Sequence, residues 1–168
     1  LHRCRFGRRT AGLPLVLLGV GRRSHRVTRP TICADAWPVT VSQETPDDNS
    51  WLVRMEGPAL LPVAQEWTKG AVKTVPAQWR LSDRALQVWA LVAGVLDESG
   101  MCFGLDAHIA QHEELRKRAA EALQKLGAAS SYVGPRAGGP ALRVVGQRRL
   151  ANVMTIVGEP PEDGSWDA

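Results

Sequence analysis

Two histidines and one cysteine are the side chains of this sequence that are best spaced for metal chemistry. His108 and His112 are four residues apart, and Cys102 precedes His108 by six residues. Side chains at positions i and i+4 of a helix lie on the same face, so both imidazoles can approach one ion. Two imidazoles and a thiolate form a feasible zinc set. Cys102, His108 and His112 are therefore a candidate zinc site.

The plainer interpretation places the same residues at the edge of the core. Their pattern lacks the His-Glu-x-x-His spacing, in which a glutamate between the ligands serves as base. The other histidines, His2 and His25, lie near the N-terminus and supply no second pair of ligands close by. Boundary histidines and a small buried cysteine explain the pattern without a metal. We therefore expect no cofactor, with zinc as the alternative.

A thiol enzyme is a further alternative. Cys102 would be the nucleophile and His108 or His112 its base, which requires that they converge in space. The glycines of residues 134–139 do not form a phosphate loop, because no Lys-Ser or Lys-Thr follows them and the flanking prolines remove backbone donors. Since the reactive residue types are few and scattered, we expect a protein without catalytic activity.

Four arginines near the C-terminal end form the basic cluster outside the N-terminal segment: Arg136, Arg143, Arg148 and Arg149. On a hairpin and its loops they would contact phosphate groups or a carboxylate-rich partner. The alternative is a solvated sheet edge, where charge discourages aggregation. Tyr132 is the one aromatic residue nearby, whereas proteins that bind single strands stack bases on several. We expect a protein partner first and a nucleic acid second.

The distribution of charge separates the chain into three parts. Residues 1–34 contain eight arginines and no carboxylate, residues 35–158 contain thirteen basic and thirteen acidic residues, and residues 159–168 contain four acidic residues and no basic one. The net charge of +4 therefore originates in the N-terminal leader, and a neutral middle argues against a polyanion partner.

Three interpretations of the leader stand side by side. An arginine-rich, acid-free segment is typical of a mitochondrial transit peptide. Eight arginines also suit an arm that binds nucleic acid. Alternatively, the natural protein starts near Val39, because seventeen arginines against four lysines are typical of a GC-rich genome and of its translated non-coding sequence. We expect residues 1–50 to be a leader and polar linker without fixed structure.

Periodicity predicts the elements of a domain over residues 51–158. Residues 51–56 alternate as a half-buried strand, and Pro58 begins a helix to about Thr68. Ser82 caps a helix over residues 85–96, for which a strand pair turning at residues 97–100 is the alternative. A long amphipathic helix covers residues 106–126, with Asp106 as its cap and a glycine after its end.

Three β-like runs follow, at residues 131–134, 141–146 and 152–158, and the last two form a predicted hairpin. This order predicts an α+β fold, in which two or three helices pack on one face of a small antiparallel sheet. Residues 159–168 are an acidic tail that we expect to be disordered.

Composition gives the last expectations. No apolar run reaches the roughly 18 residues that a membrane span needs. Three cysteines, two of them in the leader, do not form a disulfide framework, which favours a reducing compartment. We expect a binding or accessory protein of a bacterial cytoplasm, or of the mitochondrial matrix if the leader is a transit peptide.

Overall fold

The computed structural model describes residues 5–8, 14–21, 40–44, 51–137 and 139–159. The chain divides into two compact units, residues 1–74 and residues 75–168. Both units combine helices with antiparallel strands, so the predicted α+β class is confirmed. The candidate site residues outside the leader all lie in the second unit.

The first unit contains a four-stranded antiparallel sheet of order β1-β2-β4-β3. Its strands are β1 (Arg5–Arg8), β2 (Pro14–Gly21), β3 (Thr40–Glu44) and β4 (Trp51–Glu56). The predicted strand at residues 51–56 is confirmed as β4, between β2 and β3. The other three strands fall within residues 1–50, for which the sequence predicts no fixed structure. Strand β2 forms from an apolar run of eight residues, which is too short to span a membrane but has the length of a strand.

A short helical segment and a small hairpin complete the first unit. A 3-10 turn (Pro58–Leu60) leads into α1 (Leu61–Trp67), so the predicted helix that starts at Pro58 is present in two parts. The hairpin consists of β5 (Thr68–Lys69) and β6 (Val72–Lys73). Gly70 lies in its turn with a φ of 65°, a conformation that glycine adopts without strain.

The second unit is built on an antiparallel sheet of order β7-β8-β10-β9. Its strands are β7 (Gly94–Asp97), β8 (Gly100–Gly104), β9 (Ser130–Val133) and β10 (Ala141–Val144). Its helices are α2 (Asp83–Ala93), α3 (Ala107–Gln111), α4 (Glu113–Lys125) and α5 (Gln147–Val157). A 3-10 turn (Pro135–Ala137) lies between β9 and β10.

One face of this sheet carries the core. Strand side chains alternate between faces, and Met101 and Phe103 of β8 face the same way as their partners Val144 and Leu142 of β10. All four are at most 1% exposed and pack against buried residues of α2, α4 and α5. The predicted arrangement of helices on one face of a small antiparallel sheet is therefore confirmed.

The predicted hairpin after residue 146 is wrong, because residues 147–157 form helix α5. Four β-branched residues, at positions 153, 155, 156 and 157, favour a strand when the sequence is considered alone. Buried Val153 and Val157 are instead four residues apart, and Leu150 and Met154 pack beside them. That spacing places the apolar side chains on one face of a helix. In this segment the helical spacing of the apolar residues therefore outweighs their individual preference for strands.

The helix predicted over residues 106–126 is interrupted at His112, which has an extended conformation (φ −106°, ψ 110°) between α3 and α4. The predicted cap is confirmed, since the Asp106 carboxylate accepts a hydrogen bond from the His108 N–H at 2.9 Å. Gly127 ends α4 with a φ of 76°, and the Ala128 N–H donates to the Leu123 carbonyl. The sequence therefore identified both ends but not the break.

Both interpretations of residues 85–96 are correct in part. Ser82 caps α2, its hydroxyl oxygen accepting from the Ala85 N–H at 3.2 Å. The helix ends at Ala93, and Gly94 begins strand β7, which turns through residues 97–100 into β8. A Cβ at position 94 would lie 2.4 Å from the Ala90 carbonyl oxygen, so glycine is required where the helix gives way to the strand.

Gly100 provides a test of this packing. Its φ is 137°, and a Cβ there would lie 2.2 Å from the Val144 carbonyl oxygen. We expect Gly100→Ala to lower the free energy of unfolding by about 2–3 kcal/mol, because it adds a clash to an unfavourable φ. Gly158→Ala is the control, since Gly158 also has a positive φ but open space around it. Equal urea midpoints for the two variants would contradict the close approach of β8 and β10.

Candidate binding surface

The structure distributes the four arginines of the predicted cluster over three elements. Arg143 is on the central strand β10, and Arg136 is exposed in the 3-10 turn after β9. Arg148 and Arg149 are exposed in the first turn of α5. Of the predicted cluster, only this last pair forms a continuous basic site.

Arg143 is engaged in a local network on the face of the sheet opposite the core. Its Nε donates to the Cys102 sulfur at 3.1 Å, and its guanidinium forms an ion pair of 3.3 Å with Asp97. Cys102 is also the direct cross-strand partner of Arg143. The hydrogen bond to Cys102 is the main cause that raises the pKa of Arg143 above its ordinary value, and the charge of Asp97 adds a smaller contribution. These contacts explain Arg143 as a side chain that joins β7, β8 and β10.

Asp97 belongs to the same network and shapes the β7–β8 turn. Its Oδ1 accepts from both the hydroxyl and the N–H of Ser99, at 2.5 and 2.8 Å. The pKa of Asp97 is lowered, mainly by the Ser99 hydroxyl, with smaller contributions from the Ser99 N–H and the Arg143 charge. An aspartate that bonds the backbone two residues ahead is a common way to stabilise a turn.

The predicted zinc set is divided between two places. Cys102 contacts Arg143 on the sheet, whereas the two histidines meet at the junction of α3 and α4. Their ring centroids are 4.2 Å apart, and His112 Nδ1 donates to the His108 carbonyl at 2.8 Å, since a carbonyl can only accept. Within the described ranges, no three His, Cys, Asp or Glu side chains are placed to hold an ion. Zinc binding stays a prediction.

Two clefts lie around the end of helix α4. The larger has a volume of about 790 Å³ and the smaller of about 280 Å³. The larger is lined by Gly127, Val145, Gly146, Gln147, Arg148, Arg149 and Asn152. The smaller is lined by Arg80, Leu81 and Lys125. Lys125 and Gly127 are two residues apart, so the clefts are adjacent along the chain.

The chain builds this region from two helix ends. Gly127 turns the chain away from α4, and the Asn152 side chain of α5 donates to the Leu126 carbonyl at 2.6 Å. Gly146, with a φ of 94°, begins α5 without a side-chain cap. The hydrogen bond from Asn152 therefore fixes the first half of α5 against the end of α4 and leaves its first turn open to solvent.

The clefts have one sign of charge. We call Arg80, Lys125, Arg148 and Arg149 the basic surface; no aspartate or glutamate lines either cleft among the described residues. All four cations are exposed. Among the described residues, none of the four side chains takes part in a hydrogen bond or an ion pair. The whole second unit has ten basic and eleven acidic residues, so the basic surface is a local concentration of charge.

Sequence reasoning found half of this surface. Arg148 and Arg149 were in the predicted cluster, but Arg80 and Lys125 were not. They are 45 residues apart in sequence, and no periodicity relates a loop before α2 to the last turn of α4. Only the packing of α4 beside residue 81 brings them to one cleft.

Comparison with models of protein families and with curated proteins finds no match for this chain. The described helices are also short for a bilayer: α4, with 13 residues, is the longest, and a span needs about 20.

The network on the sheet gives a prediction about acid stability. Because the folded pKa of Asp97 lies below its ordinary value of 3.8, its contribution to stability is present above about pH 4 and is lost as the pH falls through the folded pKa. We expect Ser99→Ala to raise the pKa of Asp97 and reduce that acid-dependent contribution. An NMR titration of the carboxyl carbon measures this, with Glu98→Gln as control. An unchanged pKa in Ser99→Ala would contradict the role of the hydroxyl.

Proposed function

We propose that this chain is a binding protein without catalytic activity, and that its basic surface holds an acidic segment of a protein partner. The observation that carries the proposal is that the two clefts near the end of α4 are lined by four cations and by no described carboxylate. Unpaired guanidinium groups match carboxylates in geometry and charge, and a cleft orients the segment that they bind.

The charge of the unit favours a protein partner over a nucleic acid. A surface for nucleic acid usually continues as a basic stripe along the phosphate backbone. Here the second unit carries ten basic and eleven acidic residues, and four cations surround two short clefts. A segment with two to four carboxylates neutralises such a site, whereas a polyanion would extend onto neutral or acidic surface.

The aromatic residues support the same choice. Proteins that bind single strands combine a positively charged groove with aromatic rings on which bases stack. Neither cleft is lined by an aromatic residue among those described. Exposed Tyr132 lies elsewhere, on edge strand β9, where the Arg116 guanidinium covers its ring at 4.6 Å. Nucleic-acid binding by Arg148 and Arg149 is the second candidate, favoured by their exposure alone.

The reactive side chains of the second unit take part in structural contacts, which supports a protein without catalytic activity. Cys102 accepts a hydrogen bond from Arg143 in the sheet network, and no hydrogen bond joins its sulfur to either histidine among the described residues. One ring nitrogen of His112 donates a hydrogen bond to the His108 carbonyl. These contacts give each group a structural role, which supports binding over a thiol mechanism.

The strength of such binding depends on the clefts. Exposed ion pairs are each worth only about 0–1 kcal/mol, so a flat surface with four cations would bind weakly. Partial removal of water in a cleft strengthens each pair, and bidentate contacts from arginine add specificity. The complex should weaken at high salt, because these charges remain within reach of counterions.

The compartment belongs to the same proposal. An odd number of cysteines, with Cys102 free in the structure, suits the reducing cytoplasm better than an oxidising compartment. We propose a cytoplasmic location on this basis.

The double variant Arg148→Glu, Arg149→Glu tests the proposal. A fluorescein-labelled decaglutamate peptide serves as the probe, and its anisotropy reports binding to the full chain. We expect binding that is at least tenfold weaker in the double variant, because two attractions become repulsions. We also expect binding by the unchanged chain to weaken from 50 to 300 mM salt.

Arg136→Glu is the matched control, because Arg136 is exposed in the same unit but lies in neither cleft. It should bind the probe as the unchanged chain does. Failure of the unchanged chain to bind decaglutamate, or equal binding by all three proteins, would overturn the proposal. Tight binding of a DNA duplex that the double variant loses would favour the second candidate instead.

A further inference from the structure

We infer that the larger cleft selects acidic segments in which an aliphatic residue stands beside the carboxylates, and that Val145 is the residue that makes this selection. The selectivity rests on the proposed function and specifies the partner that the same site accepts. Arg148 and Arg149 supply the charge of the cleft, and Val145 supplies an apolar contact in the same lining.

Val145 is an exposed aliphatic side chain inside a charged cleft. It is 40% exposed, and it lines the larger cleft together with Arg148 and Arg149. Tyr132 is the other large hydrophobic residue of the second unit that is exposed among those described, and the Arg116 guanidinium covers its ring. A single exposed valine on an open surface is ordinary, whereas one that lines a cleft contacts whatever fills the cleft.

The fold holds this side chain in a defined position. Val145 directly follows Val144, which is fully buried at the end of β10. A Cβ built at Gly100 would lie 3.2 Å from Cγ1 of Val145, so the valine packs close to the turn between β7 and β8. A β-branched side chain also has few χ1 rotamers, so a ligand that covers Val145 removes little conformational freedom. Val145 is therefore a preformed apolar contact.

Space for a ligand lies next to Val145. Apart from the neighbours of Gly146 in the chain, no heavy atom of the described residues lies within 4 Å of the position that a Cβ at Gly146 would occupy. The cleft has a volume of about 790 Å³, and ligand pockets commonly measure about 300–1,000 Å³. Several side chains of a peptide therefore fit, so an aliphatic side chain can enter beside the carboxylates.

The spacing along the chain defines the segment that fits. Arg148 is the third residue after Val145, so their Cα atoms are at most about 11 Å apart. In an extended peptide, side chains two residues apart point the same way and are separated by about 7 Å. An aliphatic residue with carboxylates within three positions therefore reaches Val145 and the arginines together. A segment with acidic residues alone leaves Val145 uncovered.

The test compares two fluorescein-labelled peptides of equal charge, Glu-Glu-Leu-Glu-Glu and Glu-Glu-Ser-Glu-Glu, by their anisotropy with the full chain. We expect the leucine peptide to bind about fivefold more tightly. That ratio equals about 1 kcal/mol, the free energy of burying one or two methylene groups. Val145→Ser should reduce the ratio to below twofold because it removes both methyl groups, and Val145→Ile should retain it.

Val72→Ser is the matched control, because Val72 is 48% exposed and lines neither cleft. Its ratio should equal that of the unchanged chain. Salt provides a second measurement. Both peptides should bind more weakly at 300 mM than at 50 mM salt, because the ion pairs are screened. The ratio between the two peptides should stay constant, because counterions do not screen an apolar contact.

The outcomes separate this selectivity from the proposed function. Equal binding of the two peptides by the unchanged chain would overturn the selectivity while leaving the basic surface as an acid-binding site. A fivefold preference that persists in Val145→Ser would also overturn it, because the leucine would then bind elsewhere. If the unchanged chain binds neither decaglutamate nor either peptide, the proposed function fails, and the selectivity fails with it.

Discussion

Burial of one face of the β7-β8-β10-β9 sheet is the constraint on which the rest of the second unit depends. Phe103 is fully buried at the centre of this face, with Leu86, Leu123 and Val153 supplied by three helices. A side chain of this size contributes roughly 1.5–3 kcal/mol when it leaves water. Close packing also limits how far each helix can shift, so the positions of the helix ends follow from the core.

The core thereby determines where the surface charges meet. Arg80 immediately precedes buried Leu81, and Lys125 follows buried Leu123 by two residues. Arg149 precedes buried Val153 by four residues, which is one helical turn. Each cation thus lies within about one helical turn, along the chain, of a residue that is packed in the core. Contacts in the core therefore determine where the four exposed cations of the basic surface lie, although these residues are far apart in sequence.

How much of the fold was predictable depends on the range of the interaction. The caps at Ser82 and Asp106 and the stop at Gly127 are local signals, and each is present in the structure. Residues 152–158 were predicted as a strand, because their β-branched residues suit that element, whereas the helical spacing of the apolar residues and their packing against α2 favour the helix that forms. The break at His112 was not predicted for a related reason. The His112 ring forms a hydrogen bond with the His108 carbonyl, and the spacing of apolar residues along a helix gives no sign of such a bond.

The candidate site shows the same division. Arg148 and Arg149 were identified because they are adjacent in sequence, whereas Arg80 and Lys125 required the fold. Arg143 was grouped with the first pair by sequence proximity, but strand pairing places it across from Cys102, where Asp97 neutralises it. A basic residue that the fold has already paired contributes little to an external anion, and one that the fold leaves unpaired in a cleft retains its full attraction. Whether a basic residue can bind an external anion therefore depends on its ion pairs within the protein. The fold determines these pairs, and they cannot be read from the composition.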